Sequence, residues 1–82
     1  MQEIGKVTHY YGKIGVAIVE LSDALKVGDK IKIVGSKTEF EQPVDSMEVE
    51  HAPVEAAKKG DVVGLKVAEK VSEGATVFKL EE

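Results

Sequence analysis

A glycine corner that opens into an alternating strand recurs along this chain, and that recurrence limits the folds open to it. In its clearest copy, Leu25-Lys26-Val27-Gly28-Asp29-Lys30-Ile31-Lys32-Ile33-Val34-Gly35, a Gly-Asp turn is followed by Ile31 and Ile33 alternating with Lys30 and Lys32. One face of such a segment is apolar and the other charged, the signature of a turn leading into a half-buried strand. The pattern returns more loosely at Ala57-Lys58-Lys59-Gly60-Asp61-Val62-Val63-Gly64-Leu65-Lys66-Val67 and at Val71-Ser72-Glu73-Gly74-Ala75-Thr76-Val77-Phe78-Lys79-Leu80.

The rest of the chain fills in around these units. Ile4 to Tyr11 is rich in β-formers and ends at the turn signal Gly12-Lys13, so it reads as a first strand. Ile14 to Leu21 is apolar at nearly every position, as expected of a second strand covered on both sides, with Gly15 marking a bulge or a close backbone approach. Phe40, Val44, Met47 and Val49 carry a further strand whose apolar phase slips from even to odd positions, which predicts a bulge or bend near Asp45-Ser46. Pro43 supports it, because proline cannot donate to a central ladder. Two short helical turns are expected, one from an N-cap at Ser22 or Asp23 up to Gly28, the other over Pro53 to Lys58 with proline first and lysine last. Val62 to Ala68 and Ala75 to Leu80 close the chain, and Glu81-Glu82 is a tail expected to fray. The prediction is a single domain over residues 1–82, all-β, built as a small six-stranded closed Greek-key-like barrel, since closure removes exposed sheet edges.

Composition narrows function more than it specifies it. With 82 residues, 43% hydrophobic and 32% charged, the chain has one modest core and falls outside the regime of disorder. It has no cysteine, so disulfides and thiolate chemistry are excluded and a reducing cytoplasm is the expected location. No stretch approaches the roughly 18 apolar residues of a membrane helix, so no membrane partner is expected. The net charge of −4 disfavours DNA and sequence-blind RNA binding through phosphates, although a local basic patch can coexist with it.

Catalytic and cofactor motifs are sparse. There is no GxxxxGK[ST] loop and no GxGxxG, and no cofactor is expected. His9 and His51, the two histidines, have no helical pairing that would make a metal site. Glu39, Glu41, Asp45, Glu48 and Glu50 have the spacing of a solvated strand face, and no serine stands in a nucleophile elbow. An enzyme working through His51 or His9 with nearby carboxylates is the weakest reading. What remains is surface: Tyr10, Tyr11 and Lys13 set two aromatics beside a cation at a hairpin, an arrangement able to stack on a base or hold a peptide. A packed tyrosine covered by its neighbour is the plainer alternative.

Taken in order, the three glycine units together with Val44-Asp45-Ser46-Met47-Glu48-Val49 resemble the second domain of translational GTPases such as elongation factor Tu. The resemblance covers nearly the whole chain, and its specificity lies in the ordered set. It implies a closed barrel standing without the family's GTPase domain. In that family a threonine, an arginine and an asparagine help to hold the aminoacyl end of tRNA. The positions that align are Val19, His51 and Val62, so all three polar partners are changed, while Glu48 matches the family's glutamate. The same barrel resembles the C-terminal domain of collagenase-like peptidases, where it implies a recognition role. The resemblance therefore implies a non-catalytic, translation-related binding module contacting RNA or a ribosome-associated protein through Tyr11, Lys13, Glu48 and His51. The alternative is a protein-docking accessory subunit for a separately encoded enzyme, either a GTPase or a peptidase.

Overall fold

The computed structural model describes residues 2–80; the tail at Glu81 and Glu82 lies outside the described residues. The chain opens with β1 (Gln2–Tyr11) and β2 (Val16–Leu21), joined by a turn over residues 12–15. Gly15 stands in that turn with a left-handed φ of 65°, and its amide donates to the Tyr11 carbonyl at 2.9 Å. It is a turn residue rather than the bulge expected inside a strand, because a left-handed position is where a missing Cβ helps most. Then follow β3 (Leu25–Lys26), β4 (Lys30–Val34), β5 (Glu39–Pro43), β6 (Met47–Val49), β7 (Ala52–Val54), β8 (Ala56–Ala57), β9 (Val62–Lys66) and β10 (Thr76–Lys79).

Each of the three glycine corners is a β-turn of one kind. Asp29 N donates to Lys26 O at 3.1 Å, Asp61 N to Lys58 O at 3.0 Å and Ala75 N to Ser72 O at 3.2 Å. Gly28, Gly60 and Gly74 occupy the third position with φ of 98°, 92° and 88°, the left-handed geometry that a type II turn imposes there. In the first two, the aspartate side chain also accepts the amide of the lysine three residues back.

Among the described residues, all ten strands are antiparallel to their neighbours. Eight form one sheet in the order β5-β4-β10-β1-β2-β9-β6-β7, and β3 pairs with β8 as a separate ribbon. β1 curls this sheet. Its register slips between Glu3 and Gly5 against β10 and again between Val7 and His9 against β2. Each bulge bends the strand and adds twist. The concave side collects the core: Ile4, Val7, Ala17, Val19, Ile31, Ile33, Met47, Val63, Leu65 and Val77 are all essentially buried. They alternate with outward residues, as the strand period requires.

The expected six-stranded closed ring is corrected here. The sheet is a curled half-barrel with two ends, β5 and β7, that do not pair with one another as strands. The predicted phase slip explains the gap. Buried positions run over Phe40, Gln42 and Val44 and resume at Met47, and the strand breaks across residues 44–46. There the chain leaves one end of the sheet and joins the other, since β5 pairs with β4 while β6 pairs with β9. A side chain spans the seam. The Gln42 amide donates to Lys66 O at 2.9 Å and accepts from Ala68 N at 2.7 Å. Both prolines stand on the end strands, Pro43 closing β5 and Pro53 inside β7, where a missing N–H leaves no ladder bond unmade.

Neither helical turn forms. Residues 22–23 are a bend and Leu25 enters β3, while Pro53 to Lys58 extends through β7 and β8. Segments this short cannot offset the cost of helix nucleation, and the β3–β8 ribbon gives their backbone groups partners instead. No helix among the described residues is long and apolar enough to cross a membrane.

Candidate functional site

The outer face of β2 and β9 departs from the usual economy of an antiparallel sheet, in which the solvent side is polar. β2 sends Ala17, Val19 and Leu21 inward, which leaves the outward positions Val16 and Ile18 half-buried and apolar. The expectation that this strand is covered on both sides is therefore corrected: its second face is open. Val62 of β9 and Ile14 of the preceding turn add to the same surface, at 49% and 60% exposure.

A groove of about 340 Å³ opens over this face. Its floor is Val16, Ile18, Val63 and Gly64. Gly64 keeps it low, because a Cβ there would stand 3.3 Å from Val16 Cγ1 and 3.7 Å from Ile18 Cδ1. Tyr11 forms one wall. Its ring meets the His9 ring edge-on with centroids 4.5 Å apart, and His9 Nδ1 is held by Glu73 Oε2 at 2.8 Å. The tyrosine is thus braced by a neighbour that is itself tethered across 64 residues of chain. Tyr10 turns the other way, packing against the core.

The opposite rim is Glu48, Glu50 and His51. Glu50 and His51 are the two central residues of the hairpin between β6 and β7, where Val49 pairs with Ala52. Their φ values are 52° and 65°, both left-handed. That is the type I′ geometry matching the twist of a two-residue hairpin, normally filled by asparagine and glycine. Glutamate and histidine hold it at a cost of about 1 kcal/mol or more each.

Three of the four residues singled out from sequence, Tyr11, Glu48 and His51, thus line one groove. Lys13 does not line it; it is exposed on the turn between β1 and β2. Of the two other aligned positions, Val62 lines the groove while Val19 is buried in the core. Sequence reading passed over Ile14, Val16, Ile18 and Gly64. Their signal was present, in the unbroken apolar run of residues 14–19 and a glycine in the middle of a strand, but which face lay open could not be read from it. Among the described residues, no three histidine, cysteine, aspartate or glutamate side chains gather where they could hold a metal ion.

Comparison with known proteins corrects the resemblance drawn from the glycine units. Over 81 residues, 98% of this chain, the sequence is 47% identical to an uncharacterized protease of Methanocaldococcus jannaschii. It is 33% identical over 96% of the chain to the collagenase of Porphyromonas gingivalis. Two crystal structures of the C-terminal domain of a Geobacillus thermoleovorans protein assigned as a U32 peptidase superpose with TM-scores of 0.92 and 0.91, at 22% identity. They cover 96% and 98% of this chain and 100% and 93% of theirs.

The fold is that of this C-terminal domain. The sequence relatives are a protease and collagenases, so the elongation-factor and translation assignments are withdrawn, and with them the resemblance that suggested RNA as a partner. An ordered set of glycine corners specifies turns in a sheet and does not carry a function with it. The chain spans about a fifth of the length of the relatives it matches, 20% of the protease and 22% of the collagenase. No family model matches it.

Proposed function

We propose that this chain is a non-catalytic accessory domain of a collagenase-like peptidase of the U32 type, contributing protein binding through its groove while other parts of the enzyme, in the same chain or a separate subunit, carry out hydrolysis. The observation supporting this is the near-complete alignment of the chain with one fifth of a protease at 47% identity. The lining agrees with it: two carboxylates, an imidazole and a phenol surround an apolar floor, a composition suited to gripping polypeptide.

The test replaces the matching segment of the P. gingivalis collagenase with this chain, beside a version that lacks the segment. Hydrolysis of gelatin should survive the replacement and fall at least tenfold on deletion, while cleavage of a short peptide changes little in either. Equal loss on both substrates after deletion would refute a binding role, and peptide hydrolysis by the isolated chain would refute the non-catalytic assignment.

A further inference from the structure

We infer that the groove takes an extended stretch of substrate polypeptide in which an apolar side chain stands next to a lysine or arginine. This deepens the accessory-domain reading and rests on it.

The apolar half of the preference follows from the floor. Tyr11, Ile14 and Val62 are each about half exposed and adjoin Val16 and Ile18 on one face, forming a contiguous apolar surface with polar groups at its rim. Patches of that form on a small soluble domain mark contact sites. Gly64 leaves the floor a shallow seat. A strand glycine weakens its sheet, and here the missing side chain preserves the space above Val16 and Ile18. A volume of about 340 Å³ suits one or two side chains of an extended chain.

The basic half follows from the rim. The lining carries Glu48 and Glu50 and neither lysine nor arginine, within a chain whose net charge is −4. Such a rim draws a cationic side chain and repels phosphate or carboxylate. The β6–β7 hairpin holds Glu50 at the rim in a left-handed conformation that asparagine or glycine would adopt with less strain. Strain retained beside an open groove is consistent with a side chain kept for contact.

The probe is N-acetyl-Leu-Arg-Leu-amide, titrated into the isotopically labelled chain while amide shifts are followed by NMR, with N-acetyl-Leu-Glu-Leu-amide as its counterpart. The arginine peptide should move Ile14, Ile18, Glu48, His51 and Gly64. Its affinity should exceed that of the glutamate peptide at least tenfold, and fall at least fivefold in the Glu48→Gln, Glu50→Gln double variant. Both substitutions lie on the groove's rim, away from the core, and the dispersion of the spectrum verifies the fold. Equal binding of the two peptides, shifts away from the groove, or an unchanged affinity in the double variant would overturn the inference. So would tighter binding of a single-stranded oligonucleotide at these residues, or occupation of the groove by a second copy, seen as the same shifts on concentrating the chain alone. The collagenase replacement separates the two claims. Retained gelatin preference with failed peptide titration overturns the inference alone, whereas lost gelatin preference overturns the accessory reading.

Discussion

Replacing Gln42 with leucine keeps the volume of the side chain and removes both hydrogen bonds that span the seam between β5 and the end of β9. Gln42 is the one buried polar side chain among the described residues, 8% exposed. The substitution leaves Ala68 N–H and Lys66 C=O facing an apolar group. A hydrogen bond contributes about 0.5–1.5 kcal/mol net, and both bonds are only part-buried at exposed residues where water can take the amide's place, so losing the pair should cost about 1–3 kcal/mol. A domain of this size has about 4–12 kcal/mol of stability in total. Thermal unfolding followed by circular dichroism should therefore show a midpoint lowered by about 4–24 °C, at about 4–8 °C per kcal/mol. The Gln42→Glu variant supplies a signed control. Its carboxylate can still accept from Ala68 N–H but faces the Lys66 carbonyl with a second oxygen, and burial raises the pKa of an acid. The folded state then binds more protons than the unfolded one between about pH 4.3 and the raised value, so the stability of Gln42→Glu should recover as pH falls through that window. A leucine variant within about 0.5 kcal/mol of the parent, or a glutamate variant no more stable at low pH, would show that the seam is held by something other than this amide.

Gly5→Ala should cost about 2–3 kcal/mol in urea titrations, because the added Cβ would stand 2.7 Å from the Glu20 carbonyl oxygen and β1 and β2 must part to admit it. Gly60→Ala, where nothing lies within 4 Å, should cost only its left-handed strain, about 1 kcal/mol. His51→Gly should stabilise the chain by about 0.5–1 kcal/mol, strain relief outweighing the entropy of the added glycine, and an unchanged or lowered melting temperature would contradict the strained-turn account. Asp29→Ala should destabilise more than Asp61→Ala, by about 0.5–1 kcal/mol. Both lose a turn hydrogen bond, but Asp29 also pairs with Lys79 Nζ at 3.3 Å, with its side chain largely enclosed. The difference should shrink in high salt.

The sequence alone determined what short-range chemistry controls. Gly28, Gly60 and Gly74 sit in turns that demand a positive φ, and Ile31 and Ile33 point inward because the strand period is two, so both were legible from local spacing. The bend near Asp45-Ser46 was legible for the same reason, since an apolar phase slip needs an unpaired residue. Tertiary structure decided the rest. Whether Pro53 to Lys58 becomes a helical turn or two strands depends on β3 and β6, partners that no local propensity encodes. How the open seam of the sheet is bridged depends on Gln42 reaching residues 24 and 26 positions away in the chain. The groove depends on which of two apolar faces of β2 the curl of β1 turns inward. Alternation assigns residues to faces, but only long-range pairing decides which face meets water.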